Sequence, residues 1–340
     1  MQAPTISEVA RQAGVSVATV SRVVNQSGTV SPQTAEKVMK AIDQLGYQTN
    51  VWGRNLRRGE SRVALVLVPN VSNPYYAPII AGAEDTLRAQ GYSVMLCTTN
   101  SDPIRRNSFL EFLGDGQADG AILMDTVSDD SDIQAFAAHH PLVQCCEYCE
   151  SPHMSHVSID NFKAAYQAVS KLLELGHTHI GFIGADNRFV STLRRQDGYR
   201  AALKDHGISP APQDQDYASG DYSFTSGVQA AGRLLDQEDR PTALFCISDV
   251  LALGAIRAAR ERGLNVPDEL SVIGFDDIEY AGMFSPALTT VRQPCYELGR
   301  LAGEMLIGQI RGKSGGEVKY LHHRLIERDS TANVPLDHKK

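Results

Sequence analysis

The chain has 340 residues, of which 42% are hydrophobic and six are cysteine. That length is enough for two or three packed domains, and no apolar run approaches the roughly 20 residues that span a bilayer. No signal-peptide core follows the first methionine, so we expect a cytoplasmic protein.

The formal net charge is -8, but it is unevenly distributed. Residues 1–62 hold eight Lys or Arg against four Asp or Glu, a net +4 that leaves -12 for the remainder. The net charge argues against nonspecific nucleic-acid binding by the whole molecule, whereas the distribution indicates a DNA-binding head on an acidic body.

Residues 5–25 predict two short helices at a period of 3.6 residues. The apolar positions are Ile6, Val9 and Ala10 on the first helix and Val20, Val23 and Val24 on the second. Between them, Gly14 tolerates the left-handed conformation that ends a helix, and Ser16 can cap the next one. The pattern therefore predicts a helix-turn-helix whose second helix reads base edges in a major groove.

A third helix is predicted to begin at Ser31-Pro32 and to end at Gly46, because serine caps a helix and proline suits its first turn. Its core-facing residues are expected to be Ala35, Val38, Met39, Ile42 and Leu45. Residues 47–62 are polar and basic, with Leu56 nearly alone as an aliphatic residue, which is typical of a linker.

From Val63 onward, short apolar strands alternate with longer amphipathic helices, the pattern of a doubly wound parallel sheet. The strands are too many for one open sheet. We therefore predict an α/β body of two subdomains.

The motif V-A-x-x-A-G-V-S-x-x-T-V-S-R-V-x-N over residues 9–25 resembles the signature of the LacI/GalR family of transcription regulators. The resemblance extends through P-T-A-x-F-C-x-S-D, V-P-x-E-L-S-V-I-G-F-D-D and L-T-T-V-R-Q-P, and it covers essentially all of residues 5–331. It implies a repressor that binds a pseudo-palindromic operator as a homodimer and responds to a small molecule.

The resemblance also implies the domain organisation. It predicts an all-α helix-turn-helix headpiece at residues 1–46, a hinge at 47–62 and a body like the periplasmic binding proteins at 63–340. The body's N-terminal subdomain would comprise about 63–160 and 294–322, and its C-terminal subdomain about 161–293 and 323–331. In the family the hinge segment forms a helix on DNA, and Leu56 matches the leucine that wedges between base pairs. From composition alone, a flexible tether is the alternative.

The DNA-binding candidates lie mostly on and around the second helix. Val17 and Ala18 suit thymine methyl groups, and Arg22 suits a guanine. The candidates mainly for phosphates are Thr5, Ser16, Thr19, Ser21 and Asn25. Ser31 and Asn50 are further DNA-binding candidates, and Leu56 is the wedge.

Small ligands of such bodies meet the loops at the carboxyl ends of the parallel strands. The effector-binding candidates are Tyr75, Tyr76, Glu147, Ser191, Arg195, Tyr222, Ser248 and Asp276. By the resemblance, Arg195 and Asp276 match positions that bind effector hydroxyls or ring nitrogens, whereas the tyrosines and Glu147 match wall positions. Two alternatives stay open: Tyr76 as a core aromatic and Asp276 as a capping residue.

The effector is predicted to be a sugar or a nucleoside. The segments G-R-N-L-R-R and Asp221-Tyr222-Ser223-Phe224 resemble the cytidine-type and purine-type repressors. Against the purine type, Phe189 stands where that pattern has an arginine. The two classes of effector therefore both stay open, as does whether the effector releases or strengthens DNA binding.

Three other hypotheses have less support from the sequence. Cys145, Cys146 and Cys149, followed by His153 and His156, could be drawn as a zinc site, but an apolar strand followed by a loop explains them better. No G-x-S-x-G, H-E-x-x-H or G-x-G-x-x-G motif supports an enzyme or a cofactor. A solute-binding protein for transport would lack the basic headpiece. We therefore predict a regulator with no cofactor and no metal.

Overall fold

The computed structural model describes residues 4–24, 27–47, 60–127, 129–208 and 217–334. The chain forms two compact units, Met1–Ser61 and Arg62–Lys340, here called the headpiece and the body. Within the described residues, no helix combines the length and the apolar character needed to cross a membrane.

The described part of the headpiece contains three helices, α1 (Ile6–Ala13), α2 (Val17–Val24) and α3 (Pro32–Leu45). Local capping explains their bounds. Thr5 and Glu8 form a reciprocal capping box at the start of α1, and Gly14 ends that helix with φ of 68°. Ser16 Oγ accepts a bond from Thr19 N at 3.1 Å and so caps α2.

The headpiece core is small, which is expected for three short helices. Its fully buried members are Val9, Ala10, Val20, Val38 and Ala41. One prediction for α3 was wrong, because Met39 is 49% exposed and Ala41 faces the core instead. Both positions lie near the edge of the apolar stripe, where periodicity alone cannot decide which residue is buried.

The N-terminal subdomain of the body is built on a parallel sheet of six strands in the order β11-β5-β4-β3-β1-β2. The strands are β1 (Val63–Val68), β2 (Ser93–Thr98), β3 (Gly120–Leu123), β4 (Leu142–Cys145), β5 (Ser155–Ile159) and β11 (Val318–Leu321). Its helices are α4 (Tyr76–Ala89), α5 (Pro103–Gly114), α6 (Ser131–Ala137) and α11 (Cys295–Ile310). Side chains of β1 alternate between the two faces, with Val66 packing in the core beside α4 and Leu65 in the core beside α5. Burial on both faces explains why β1 is apolar throughout.

The C-terminal subdomain contains the second six-stranded sheet, in the order β12-β10-β9-β8-β6-β7. Its strands are β6 (Ile180–Ala185), β7 (Tyr217–Gly220), β8 (Ala243–Cys246), β9 (Ser271–Asp276), β10 (Thr289–Arg292) and β12 (Arg324–Ile326). The helices are α7 (Asn161–Glu174), α8 (Val190–Asp205), α9 (Phe224–Leu235) and α10 (Asp249–Glu261), with a 3₁₀ turn at Glu279–Gly282. The pair β10–β12 is antiparallel, and the other pairs in this sheet are parallel.

The chain passes between the two sheets three times. The passages lie between β5 and α7, between β10 and α11, and between β11 and β12, at residues 159–161, 292–295 and 321–324. At each passage the strand belongs to one subdomain and the element that follows it belongs to the other. Three short connections of this kind form a hinge about which two rigid subdomains can close.

Helices α4 and α11 approach each other so closely that glycine is required at the contact. A Cβ atom at Gly299 would lie 1.9 Å from Ile79 O, and one at Gly82 would lie 2.0 Å from Tyr296 O. Each of these contacts involves backbone atoms of the other helix, which cannot rotate away. The packing of the N-terminal subdomain therefore depends on these two glycines.

We expect Gly299→Ala to lower the free energy of unfolding by about 1 to 3 kcal/mol, because the added methyl group would force the two helices apart. Gly308→Ala is the matched control on the same helix. There the nearest atoms to an added Cβ belong to the flexible Lys313 side chain, the first at 3.0 Å, and alanine favours helix over glycine. Chemical denaturation of both variants measures the difference. Equal stabilities would contradict the close-packing argument.

Candidate functional site

The outer face of α2 carries the three side chains predicted to meet bases. Val17 is 43% exposed, and Ala18 and Arg22 are also exposed. Ser16 and Thr19 bond to each other through their hydroxyls at 2.9 Å, at the start of the same helix. Helix N-termini with free amide groups attract phosphates. The face thus has an apolar and basic surface beside a polar helix start.

The remaining DNA-binding candidates have varied surroundings. Thr5 and Ser31 are exposed and cap α1 and α3. Ser21 is half-buried on α2. Asn25, Asn50 and Leu56 lie outside the described residues.

The body contains a cavity of about 1220 Å³ that is lined from both subdomains. Seven of the eight predicted effector residues line it: Tyr75, Tyr76, Glu147, Ser191, Arg195, Tyr222 and Asp276. Its wall also includes aromatic residues near the predicted set, namely Phe189, Phe224, Tyr280 and Phe284. Apolar walls with a few convergent polar groups are typical of small-molecule sites.

Ser248 is the exception among the eight. It is fully buried, does not line the cavity, and its hydroxyl accepts a bond from Leu251 N, which caps α10. A serine shortly after a strand can either bind a ligand or cap the next helix, and here Ser248 caps the helix. Ser191 and Arg195 also differ from expectation, because they lie on the first turns of α8 and not on a loop.

Asp276 ends β9 and is held by a polar chain that reaches across the cleft. Gln293 Nε2 donates to Asp276 Oδ1 at 2.8 Å, and Tyr75 Oη donates to Gln293 Oε1 at 3.2 Å. Tyr75 belongs to the N-terminal subdomain, Asp276 to the C-terminal one, and Gln293 to the connection between them. Gln293 is not among the residues predicted from the sequence. Its position directly after β10, at a passage between the sheets, was the available signal.

The backbone around the cleft contains several uncommon conformations. Cys146, Tyr222 and Asp276 have φ values of 71°, 64° and 113°, in the region that non-glycine residues rarely adopt. Such conformations persist only where surrounding structure imposes them, and they are concentrated at binding sites. Two of these residues, Tyr222 and Asp276, line the cavity.

Burial raises the pKa of two acids in this cleft, Asp276 and Glu147. It raises the pKa of Asp276 to about 7, against the opposing influence of Arg195 and Gln293. It also raises the pKa of Glu147, while the bonds from Ser191 N, at 3.1 Å, and from the Ser191 hydroxyl oppose the shift. Glu147 and Ser191 belong to different subdomains, so this contact also spans the cleft.

The Arg195 side chain is 5% exposed and is largely engaged by the protein. Its guanidinium donates to Asn161 Oδ1 at 2.9 Å and to Ile247 O at 2.6 Å, and it lies 3.6 Å from the centre of the Phe275 ring. The distance from Nη1 to Asp276 is 3.9 Å. Arg195 is therefore fixed in place before any ligand arrives, and Asn161, which the sequence analysis did not select, is one of the residues that fix it.

The three cysteines that could be drawn as zinc ligands are packing residues. Cys145 and Cys146 are buried with their sulfur atoms 3.6 Å apart, and Cys149 is buried near Gln144 and Met154. Burial raises the pKa of Cys149, which disfavours the thiolate that a metal needs. Among the residues the structure describes, no group of three or more His, Cys, Asp or Glu is arranged to hold a metal ion.

Known proteins resemble both units. The family "Bacterial regulatory proteins, lacI family" matches residues 5–50, and "Periplasmic binding protein-like domain" matches residues 169–331. The HTH-type transcriptional repressor CytR of Escherichia coli K12 is 38% identical over 335 residues, which cover 98% of each chain. The chain belongs to the LacI family.

Solved structures of LacI-family proteins agree with this assignment. The lac repressor dimer bound to operator and the anti-inducer ONPF has a TM-score of 0.88 and 28% identity, covering 97% of this chain and all of its own. The complex of the transcriptional regulator CelR with cellobiose has a TM-score of 0.73 and 32% identity, covering 96% and 99%. The predicted fold class is confirmed. Like its relatives, this LacI-family chain is a transcriptional repressor with a DNA-binding and a ligand-binding domain, and it is not an enzyme.

Asp276→Asn should change how stability depends on pH. In the folded protein the pKa of Asp276 is about 7, whereas an unfolded aspartate titrates near 4. The protonated carboxyl therefore contributes its full stability to the folded state below about pH 4. As the pH rises from about 4 through 7, the free energy of unfolding falls by up to about 1.4 kcal/mol per pH unit. The asparagine variant has no proton to lose. Urea unfolding of both proteins from about pH 5 to 8 tests this, and parallel pH profiles would show that Asp276 titrates normally.

Proposed function

We propose that this repressor binds a pseudo-palindromic operator as a homodimer in the cytoplasm, and that a small, uncharged polar molecule in the body cleft changes its affinity for DNA. The observation that carries the proposal is the cleft itself, in which one polar chain joins both subdomains through the hinge residue Gln293. On this proposal, a ligand bound in the body regulates DNA binding by the headpiece of the same chain.

The headpiece supports a division of labour in operator binding. Val17 and Ala18 contact thymine methyl groups, and Arg22 bonds a guanine. Thr5, Ser16, Thr19, Ser21, Asn25, Ser31 and Asn50 position the headpiece on phosphates. Leu56 of the hinge segment wedges into the minor groove. One headpiece covers half a site, so a dimer and a two-fold symmetric operator follow.

The body offers a surface for the second copy. Strand β2 is an edge strand of its sheet, and Met95 and Leu96 on it are 36% and 45% exposed. Ile104, at the start of the following helix, is 81% exposed. An apolar edge strand favours association with another chain. A second copy of this chain covering that edge accounts for the exposure.

Replacing Val17 and Ala18 together should change the preferred operator. The variant Val17→Gln with Ala18→Gln removes the methyl-recognising surface and keeps the phosphate-contacting groups, so half-site preference should change by about tenfold or more while nonspecific affinity stays nearly constant. Selection from randomised operators, at one fixed salt concentration, measures the preference. Met39→Gln, at an exposed position on α3, is the control. An unchanged preference in the double variant would reject these base contacts.

The charges of the cleft support an uncharged effector. The charged residues that line it are Glu147, Asp186, Arg195, Asp221 and Asp276. Arg195, the one cation among these lining residues, is already engaged by Asn161 and Ile247. A phosphorylated ligand would therefore enter a net acidic cavity without a free cation. Aromatic walls and hydrogen-bonding groups suit a sugar or a nucleoside, and cellobiose is the ligand in the CelR structure.

The link to DNA is closure of the cleft. A ligand that contacts Asp276 and Arg195 on one side, and Tyr75, Tyr76 or Glu147 on the other, binds the closed form better than the open form. Closure moves the N-terminal subdomains relative to each other across the dimer and so changes the spacing of the hinge segments. Coupling of this kind is typically about 1 to 3 kcal/mol.

A thermal-shift screen over sugars, nucleosides and their phosphates tests the ligand site. A neutral member of one class should raise the unfolding temperature, and its phosphorylated form should not. Asp276→Ala should abolish that shift and leave ligand-free operator affinity nearly unchanged. Asp239→Ala, at a side chain that is 98% exposed, should behave like the parent. If Asp276→Ala keeps the full shift, Asp276 is not an effector-binding residue.

A further inference from the structure

Two segments meet across the cleft at a place separate from the three hinge connections. One segment, residues 125–127 and 129–130, follows β3 of the N-terminal subdomain, and the other, residues 186–189, follows β6 of the C-terminal subdomain. Val127 and Phe189 form an antiparallel backbone bridge. The Arg188 guanidinium also donates to the Asp129 carboxylate. We call Val127, Asp129, Arg188 and Phe189 the clasp.

Each side of the clasp is anchored to its own subdomain. Asp130 accepts a bond from Ile133 N, which caps α6, and it pairs with Arg106 at 2.5 Å while both side chains are almost fully buried. On the other side, Asn187 Oδ1 accepts a bond from Phe189 N at 3.0 Å. The buried Asp130–Arg106 pair fixes the N-terminal side of the clasp. On the C-terminal side, the half-buried Asn187 orders the turn that leads through Phe189 into α8.

The clasp is continuous with the ligand cavity. Phe189 is 7% exposed and lines the cavity wall. A second ion pair, between Arg194 and Glu150 at 3.2 Å, also joins the two subdomains, and Arg194 follows soon after Phe189 in the chain. Since none of these residues belongs to the hinge connections, separation of the two sheets must break the contacts they make.

We propose that the clasp is a ligand-independent latch that holds the cleft closed and positions Phe189 as part of the effector wall. The effect of the clasp on effector affinity rests on the proposed function, because it assumes that the cleft is the effector site. The effect of the clasp on closure of the cleft does not depend on that assumption. A latch that is already formed reduces the free energy that an effector must spend on closing the cleft, and so raises the apparent affinity.

The latch is expected to be weak and sensitive to salt. Arg188 and Asp129 are 67% and 56% exposed, and exposed ion pairs contribute modestly and are screened by salt. Loss of the pair should therefore change the population of the closed form by about two- to fivefold. A weak latch suits a regulator, because an effector can still shift the balance between open and closed forms.

Hydrogen exchange on the full-length protein, without DNA or effector, tests the proposal. Arg188→Gln should speed exchange about two- to fivefold in peptides that contain residues 125–130, 186–195 and 69–76, with no change in peptides from β8. High salt should reduce the difference between parent and variant. Arg257→Gln is the matched control, because it breaks an equally exposed pair, Arg257–Glu261, within a single helix.

The charge-reversed double variant, Arg188→Asp with Asp129→Arg, should restore slow exchange, whereas either single reversal should not. If Arg188→Gln matches the Arg257→Gln control, or if the double reversal fails to restore protection, the latch is wrong. Neither result depends on the operator or the effector. Failure of the latch would thus be distinct from failure of the proposed function, which the ligand screen decides.

Discussion

The buried carboxyl of Asp276 is the group around which the polar contacts of the cleft are arranged. It ends a fully buried strand, has a φ of 113°, and accepts a hydrogen bond at 2.8 Å from a hinge residue, Gln293. A carboxylate removed from water without full compensation is costly. Its raised pKa of about 7 reflects that cost. The protein therefore keeps, at the meeting point of strand, hinge and cleft, an acid that a ligand's donor groups would stabilise.

This constraint explains why closure and ligand binding are linked. Tyr75, from the other subdomain, reaches the same chain through Gln293, so the two halves of the cavity are positioned relative to each other by polar contacts in addition to packing. Glu147 with Ser191, and the clasp of Val127, Asp129, Arg188 and Phe189, add further contacts across the gap. A ligand that replaces or extends any of these contacts changes the balance between closed and open forms.

The sequence predicts most of the fold because strong local signals agree with the packing. The apolar run of β1, the Gly14 turn and the Ser31-Pro32 helix start each have one favourable structure. The site is predicted less completely. Gln293 matters only because folding brings it between residues more than 200 and nearly 20 positions away. No local pattern marks the Arg188–Asp129 contact, and Ser248 suits a cap as well as a ligand.

Effector and operator are predicted to shift the same conformational equilibrium of the repressor. Titration of the effector into the repressor, with and without saturating operator, tests this most directly. Linkage requires the operator to change effector affinity by the same factor by which the effector changes operator affinity. The account predicts a factor of about 5 to 150, equal in both directions. An effector that binds the cleft with the same affinity whether or not operator is present would contradict it.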